Sequence, residues 1–443
     1  MASPARKRLK TLSLPASTSA AAKELQHALN VSVVTLAGNT IGDWQLERDV
    51  TVARLKAKVF DVAGMQPSRQ KLVFGCRVLE DGNQLGELAG PDAQKLHICL
   101  IRQRMMVVSG STDRTARLWD VEEGKCLEEF PEHRDHVSIL AVDWSAERLL
   151  ASSFEGELCL WDMCRGGKIM QATEGVGRVS SGDSVAVHWP SNRILLGTMQ
   201  GNLELWNISS CKFVTRLGGH RSCVDFVTAD WGSARALSGS RDRTLRLWDM
   251  EGKRCIRVLK GHTGSVVCCT VDWASGSVLS GGMDCTLRLW RLLRGEPVQV
   301  LKGHTSSVQC VTADWPAQRA LSGGRDGRLC IWDLAASWLL LELSEGGQDG
   351  GVECLAADWA SQRALTGNSD GSLRLWDLAG GAALLRLAGH PGDGLCLLAD
   401  WSSGRALTAG ADGAVRLWSL EDGEILKELR GHAGAVLCLA WPL

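Results

Sequence analysis

A short block ending in Trp recurs along this 443-residue chain and constrains its fold more than any other feature. RTLRLWDM, SLRLWDL and AVRLWSL are three of its copies. Successive copies place their Trp 42 to 45 residues apart, at Trp119, Trp161, Trp206, Trp248, Trp290, Trp332, Trp376 and Trp418. A period of this length indicates one supersecondary unit per copy.

Each copy contains short segments rich in Leu and β-branched residues, such as DFVTADW, ALSGS, TLRLWDM and CIRVLK. Gly, Asp, Ser or basic residues separate these segments. The pattern predicts four short β-strands per copy rather than helices.

The stretch GHRSCVDFVTADW at 219–231, followed by RALSGSRDRTLRLWD at 235–249, resembles the WD40-repeat family. The resemblance covers residues 104–443 and implies a mainly β fold, the WD40 β-propeller. Eight Trp-ending strands predict eight blades. Because residues 170–206 are the least regular, seven blades are the alternative.

The two ends of the repeat region complement each other. RMMVVSGSTDRTARLWD, the first copy, lacks an inner strand of its own, and GHAGAVLCLAWPL is an inner strand with nothing after it. We therefore expect the C-terminal strand to complete the first blade and close the propeller, which removes two exposed sheet edges.

Before the repeats, residues 55–85 and 95–101 closely resemble ubiquitin and its relatives, through LKAKVFDVAGMQPSRQKLVFGCRVLEDGNQL and KLHICLI. The resemblance implies an α+β ubiquitin-like domain of the β-grasp fold over residues 31–103. Helical spacing independently puts four apolar residues on one face, at Val52, Leu55, Val59 and Val62. Arg104 and Met105 stand where ubiquitin has its terminal Gly-Gly, so the resemblance does not extend to conjugation.

Charge and composition argue against some classes of partner. The chain has 49 basic and 50 acidic residues, so its bulk charge favours neither direct nucleic-acid binding nor a membrane surface. Residues 1–30 are rich in Ser, Ala and basic residues, which predicts a disordered tail. Its cluster ARKRLK at 5–10 is either a nuclear-import signal or a solvated basic end. We expect a cytoplasmic and/or nuclear protein.

The 16 cysteines do not indicate a disulfide scaffold in a chain of this size. Cys268, Cys310, Cys354 and Cys396 each lie five residues before a Trp, and no C-x-x-C pair occurs. They are interpreted as small apolar residues at a recurring buried position. We expect no metal and no cofactor.

A His, a Ser or Thr, an Asp and a Trp recur at constant spacing. An active site needs one such set, whereas five copies indicate a shared structural cause, so we expect no catalytic residue. In the WD40 family this set is a buried hydrogen-bond chain, and the resemblance implies the same role here. The five sets are His220, Ser238, Asp242 and Trp248; His262, Ser280, Asp284 and Trp290; His304, Ser322, Asp326 and Trp332; His390, Thr408, Asp412 and Trp418; and His432, Ser109, Asp113 and Trp119.

Three copies depart from this set and are expected to form the least stable blades. The corresponding positions hold His133, Ala151 and Glu155 before Trp161; Arg178, Leu196 and Gln200 before Trp206; and Gln348 in place of the His before Trp376.

WD40 propellers usually bind partners through the loops on one face. The residue just before the turn Asp, or before its substitute, is expected on that face, and these residues include types that anchor interfaces. Arg221, which follows His220, is expected to assist them. The candidates are Phe154, Met199, Arg221, Arg241, Met283 and Arg325. Arg241 and Arg325, helped by Arg221, would receive an acidic or phosphorylated peptide; ordinary solvated Arg is the equal alternative.

Two further groups have a predicted role. The resemblance to ubiquitin assigns its partner-binding patch to Leu36, Val73, His97 and Cys99, either open to ubiquitin-recognising modules or covered by the propeller. A second Trp series carries Arg four residues later, as in Trp144 and Arg148, which predicts indole–guanidinium stacking within each blade.

These features predict a non-enzymatic scaffold or adaptor for protein–protein interaction. The propeller would bind proteins or peptides, and the ubiquitin-like domain would engage proteasome, segregase or ubiquitin-ligase components. One alternative is a ribosome-assembly factor resembling the Notchless family, which has the same domain order. Another is a hydrolase that uses one His/Ser/Asp set.

Overall fold

The computed structural model describes residues 28–35, 38–63, 70–75, 77–89, 93–102, 105–131, 133–172, 176–179, 184–295, 297–344, 350–392 and 396–442. The chain divides into two compact units, Met1–Met105 and Met106–Leu443. The predicted tail, including ARKRLK, lies outside the described residues except for residues 28–30, which begin the first strand.

The first unit is a five-stranded sheet with two helices. Its strands are β1 (Ala28–Thr35), β2 (Thr40–Glu47), β3 (Gln70–Phe74), β4 (Arg77–Val78) and β5 (Lys95–Arg102), in the order β2-β1-β5-β3-β4. Its helices are α1 (Val52–Ala63) and α2 (Leu85–Ala89). β1 pairs antiparallel with β2 and parallel with β5, and β3 pairs antiparallel with β5.

Apolar spacing explains how α1 packs. Val52, Leu55 and Val59 are fully buried, and each such side chain contributes about 1.5–3 kcal/mol as an upper value. Val62, predicted on the same face, is 59% exposed because it lies in the last turn of the helix. Alternate residues of β5 complete this core from the sheet, at Leu96, Ile98 and Leu100.

The described residues of the second unit form eight four-stranded sheets. Sheet 1 combines β6 (Met106–Ser111), β7 (Ala116–Asp120) and β8 (Lys125–Phe130) with β37 (Val436–Ala440), and sheet 2 consists of β9 (Val137–Asp143), β10 (Arg148–Ser153), β11 (Glu157–Asp162) and β12 (Lys168–Ala172). Sheet 3 consists of β13 (Val185–His188), β14 (Arg193–Gly197), β15 (Asn202–Asn207) and β16 (Lys212–Gly218), and sheet 4 of β17 (Val224–Asp230), β18 (Arg235–Ser240), β19 (Thr244–Asp249) and β20 (Arg254–Lys260). Sheet 5 consists of β21 (Val266–Asp272), β22 (Ser277–Gly282), β23 (Thr286–Arg291) and β24 (Pro297–Lys302), and sheet 6 of β25 (Val308–Asp314), β26 (Arg319–Gly324), β27 (Leu329–Asp333) and β28 (Trp338–Leu343). Sheet 7 consists of β29 (Val352–Asp358), β30 (Arg363–Asn368), β31 (Leu373–Asp377) and β32 (Ala383–Leu387), and sheet 8 of β33 (Cys396–Asp400), β34 (Arg405–Ala409), β35 (Val415–Ser419) and β36 (Ile425–Leu429).

Sheet 1 is assembled from two distant parts of the chain. β37 pairs antiparallel with β6, with Val436 opposite Ser111 and Leu439 opposite Ser109. Each sheet packs on the next one along the chain, and β33 and β34 of sheet 8 contact β37. The sheets therefore form a closed circuit. The irregular stretch 170–206 supplies part of β12, the strands β13 and β14, and all but the last residue of β15.

The repeated Trp lies at the same buried position in every sheet. None of the eight is more than 4% exposed, the highest value being that of Trp161. Aliphatic residues of its own and the preceding sheet pack in one cluster with Trp248, among them Val224 of sheet 4 and Leu195 and Leu205 of sheet 3. Such burial is favourable only if the indole N–H finds an acceptor, because an unpaired buried donor is costly.

Candidate functional site

Sheet 4 shows how the recurring polar residues meet. His220 precedes β17, Ser238 lies in β18, Trp248 lies in β19, and Asp242 is in the turn between the latter two strands. His220 Nδ1 is 2.9 Å from Asp242 Oδ2, and His220 Nε2 is 2.8 Å from Ser238 Oγ. The Trp248 N–H donates to the same hydroxyl oxygen at 2.8 Å.

Donors and acceptors match throughout this network of four side chains. When Nδ1–H donates to the Asp242 carboxylate, Nε2 accepts the Ser238 O–H, and Ser238 Oγ accepts the indole N–H. Ser238 is fully buried, so its hydroxyl is not placed to meet a substrate. The geometry is that of a structural hydrogen-bond network.

The charges in this network follow from burial and hydrogen bonding. Burial opposes ionisation of Asp242, but hydrogen bonds from His220 and Thr244 hold the pKa of this carboxyl below its usual range. Burial lowers the pKa of His220 against the pull of Asp242. Sheet 4 therefore holds a neutral imidazole beside a carboxylate at pH 7.

Four other sheets bring the same four side chains together. The distance from His Nε2 to the Ser or Thr hydroxyl oxygen is 2.8 Å in each. These sets are His432, Ser109, Asp113 and Trp119 in sheet 1, His262, Ser280, Asp284 and Trp290 in sheet 5, His304, Ser322, Asp326 and Trp332 in sheet 6, and His390, Thr408, Asp412 and Trp418 in sheet 8.

Sheets 3 and 7 satisfy the indole differently. In sheet 3 the Trp206 N–H donates to Glu204 Oε2 at 3.4 Å, and Arg216 holds the other carboxylate oxygen at 2.8 Å. Sequence reasoning missed Glu204, which lies two residues before Trp206 on the same face of the strand. In sheet 7 the Trp376 N–H donates to Thr366 Oγ1 at 3.0 Å, and the predicted Gln348 lies outside the described residues.

Sheet 2 departs furthest from the pattern. Ala151 replaces the hydroxyl residue, and the Trp161 N–H has no hydrogen-bond partner among the described residues. The predicted Glu155 points outward and pairs with Arg178 at 3.2 Å. Glu157 turns inward instead and is 1% exposed. Burial lowers the pKa of His133 to about 4, so its imidazole is neutral at pH 7.

The six candidate residues of the propeller face do not share one chemistry. Five of them occupy the turn after the second strand, and the backbone N–H of each donates to the loop before the inner strand, as in Met283 N to Ser265 O at 2.8 Å. Met283 is 51% exposed and Met199 is 37% exposed. Phe154 is half-buried.

The three arginines of that face differ in whether their guanidinium groups have a carboxylate partner. Arg241 Nε donates to Asp225 at 3.1 Å, so its guanidinium already has a carboxylate partner. Arg221 and Arg325 are exposed, and their side chains have no ion pair within the described part of the chain. Arg325 and Arg221 therefore remain the candidates for an acidic ligand.

In the first unit, one sheet face presents part of the predicted patch. Val73 lies opposite Cys99, and Val34 lies beside Cys99 on its other side. All three are half-buried, and His97 is exposed two residues away. Val34 was not predicted, although its alternation with the buried Val33 indicates it. The predicted Leu36 lies outside the described residues.

Two members of the second Trp series stack between sheets, and Arg148 lies over the Trp of the next sheet instead of Trp144, which corrects the prediction of stacking within the blade for this pair. Arg148 of sheet 2 lies over Trp189 of sheet 3, with 5.3 Å from Cζ to the ring centroid. His188 of sheet 3 stacks on Trp231 of sheet 4 at 5.5 Å. These contacts link neighbouring sheets and leave the indoles half-buried.

Comparisons with known proteins agree with this architecture. Residues 29–103 match the ubiquitin family, and five segments match the WD domain, G-beta repeat, at 124–162, 211–249, 253–291, 295–333 and 340–377. The crystal structure of the computationally designed Ika8 protein aligns with a TM-score of 0.61 and 22% identity, over 70% of this chain and 91% of that chain. This likeness shows the fold alone. Among the described helices, none has the length and apolar character to span a membrane.

Proposed function

We propose that this chain, a WD40-repeat protein with an N-terminal ubiquitin-like domain, is a non-enzymatic scaffold that links propeller-bound proteins to ubiquitin–proteasome machinery. WD40 repeats and a ubiquitin-like domain both support protein interaction. The observation that carries the finer proposal is the apolar strip formed by Val34, Val73 and Cys99 on the sheet of the ubiquitin-like domain.

The strip has the character of a docking surface. Its side chains point away from the core that β5 and α1 form, because the residue before each of them in its strand is buried in that core, at Val33, Leu72 and Ile98. Val78 extends it beside Val73 and is 47% exposed. Adjacent apolar residues on a solvated sheet face gain free energy when a partner covers them.

The propeller face supplies a second binding surface. Met283 and Met199 present flexible apolar side chains, which adapt to partner surfaces. Arg325 adds an exposed cation. This combination suits a peptide with an apolar residue near an acidic or phosphorylated one.

Catalysis by one His/Ser/Asp set has no support in this geometry. Each of the five hydroxyls accepts a bond from an indole and is fully buried, at Ser109, Ser238, Ser280, Ser322 and Thr408. A fluorophosphonate probe is expected to leave the full-length chain unlabelled. Labelling that one Ser→Ala substitution abolishes would support the hydrolase alternative instead.

Binding of the full-length chain to purified 26S proteasome tests the docking role. Val73→Asp places a charge in the strip and should weaken binding about tenfold or more. Val62→Asp is the matched control, because Val62 is 59% exposed on α1, away from the strip. Equal binding by wild type and Val73→Asp, or equal loss in both variants, would contradict the proposal. Recovery of pre-ribosomal particles with the wild-type chain would favour the assembly-factor alternative.

A further inference from the structure

Sheet 2 gathers three metal-ligating side chains in its interior. His133, Glu157 and Cys159 each offer one ligand atom, and these atoms all lie within 4.8 Å of one another. The three residues are 4%, 1% and 0% exposed. Buried groups of this kind need partners, because water cannot satisfy them.

The repeat explains why these residues converge. His133 occupies the position of His220, before the inner strand of its sheet. Glu157 and Cys159 both lie in β11 and are two residues apart, so their side chains point to the same side of the strand. In sheet 4 the corresponding strand positions hold Thr244 and Arg246. Sheet 2 thus replaces a hydroxyl and a guanidinium with a carboxylate and a thiol.

The hydrogen bonding of the His133 ring is a second, independent observation that points to a ligand. In sheet 4 both ring nitrogens of His220 are hydrogen-bonded. In sheet 2 neither nitrogen of His133 has a hydrogen-bond partner among the described residues, although the side chain is fully buried. Its Nδ1 is 3.6 Å from Glu157 Oε2, which is beyond hydrogen-bond distance. The imidazole of His133 lies instead near the carboxylate of Glu157 and the thiol of Cys159, and sheet 4 has neither group at the equivalent positions.

We propose that His133, Glu157 and Cys159 form a buried zinc site. Zn²⁺ accepts imidazole nitrogen, thiolate sulfur and carboxylate oxygen at about 2.0–2.3 Å in a tetrahedral arrangement. The thiol ligand argues against Mg²⁺ and Ca²⁺, which prefer oxygen. On binding, the Cys159 S–H bond breaks, its proton passes to the buffer, and a Zn–S bond forms. Three protein ligands leave a fourth position for water or a side-chain oxygen.

Charge balance favours the site. A thiolate and a carboxylate neutralise the two charges of Zn²⁺, so the complex adds no net charge to the interior. The Arg134 backbone N–H donates to Glu157 Oε2 at 2.9 Å, and the Gln171 amide donates to Oε1. These bonds orient the carboxylate from outside, as outer partners do in metal sites. Lys168 lies nearby, with its Nζ 4.9 Å from the centroid of the Trp161 ring.

The chain offers a matched control for a zinc measurement. Cys330 stands two residues before Trp332, as Cys159 stands two before Trp161, and both thiols are fully buried. In sheet 6, however, His304 is already bonded to Asp326 and Ser322. Cys330→Ser should therefore leave zinc binding unchanged.

The experiment loads full-length protein with Zn²⁺, removes weakly held metal by dialysis and counts zinc per chain by mass spectrometry. Wild type and Cys330→Ser should retain about one zinc per chain more than Cys159→Ser. Glu157→Gln, which preserves side-chain shape, should weaken zinc binding at least tenfold. Co²⁺ should give a thiolate-to-metal absorption band in wild type and Cys330→Ser only. Equal zinc in wild type and Cys159→Ser, or equal loss in both cysteine variants, would overturn the proposal, as would a cobalt band that persists in Cys159→Ser.

Discussion

Sheets 4 and 2 carry the same buried indole in different polar surroundings. In sheet 4 the Trp248 N–H is bonded to Ser238, which is bonded to His220 and through it to Asp242. In sheet 2 the Trp161 N–H faces Ala151 and has no acceptor within the described ranges. One missing hydroxyl oxygen therefore disconnects both the indole and the imidazole.

The difference teaches that the hydroxyl is the hub of the network. Ser238 serves two neighbours at once, whereas Asp242 mainly fixes the orientation of the imidazole and of the loop that carries it. A repeat that loses its hub is free to acquire other polar residues. Sheet 3 has acquired Glu204 as an indole acceptor, and sheet 2 has acquired Glu157.

The largest expected effect comes from converting sheet 4 into the state of sheet 2. Ser238→Ala leaves the Trp248 N–H and the His220 ring without their partner, so it should lower the free energy of unfolding by about 2–3 kcal/mol. Urea unfolding followed by Trp fluorescence measures this. Ser238→Thr is the control, since sheet 8 uses Thr408 at this position. A loss below about 0.5 kcal/mol with Ala would mean that the hub is dispensable.

The two acidic turn residues should differ in the same assay. Asp242→Ala removes the partner of the His220 Nδ1 and of the Arg221 N–H, and should cost about 1–3 kcal/mol. Glu155→Ala breaks only a surface pair with Arg178 and should cost less than about 0.5 kcal/mol. Similar losses would show that Glu155 has a structural role despite its outward orientation.

The reverse conversion should yield a small gain. Ala151→Ser restores a hydroxyl where Trp161 needs an acceptor, and should stabilise the zinc-free protein by about 0.5–1 kcal/mol. Ala151→Val adds bulk without an acceptor and serves as the control. Destabilisation by both variants to the same extent would show that packing around Ala151 outweighs hydrogen bonding.

The smallest effect concerns pH. Because burial lowers the pKa of His220 below the ordinary value of 6.5, the unfolded chain binds more protons than the folded chain once the pH falls below about 6.5. Stability should therefore decrease from pH 7 to pH 5. His220→Gln removes one titrating group, and its urea midpoint should change less over this range than that of wild type. An equal slope for the two proteins would assign the dependence to other groups.

Much of the geometry of the His, Ser, Asp and Trp sets was predictable because it recurs from repeat to repeat. Constant spacing was enough to group His220, Ser238, Asp242 and Trp248, since every copy follows the same strand and turn lengths. Glu157 was missed because Glu155 is the one aligned with Asp242. The signal available in the sequence was strand alternation, because position 157 lies four residues before Trp161 and therefore on the same side of the strand. Thr244 of sheet 4 lies at the equivalent position and contacts His220.

Other features could not be predicted from repeat spacing. The pairing of Arg241 with Asp225 depends on the distance between a turn and an inner strand. The stacking of Arg148 on Trp189 depends on how two sheets pack, and the repeat pattern describes only one sheet at a time. Contacts within a repeat are thus more accessible to sequence reasoning than contacts between repeats.

The pairing of β37 with β6 has a consequence for biosynthesis. Ser109 and its partner His432 are separated by 323 residues, so the nascent chain exposes the unpaired edge of β6 until residue 440 has left the ribosome. At about 5–20 residues per second this delay is roughly 16–65 seconds. During that time the bare strand is open to pairing with other chains.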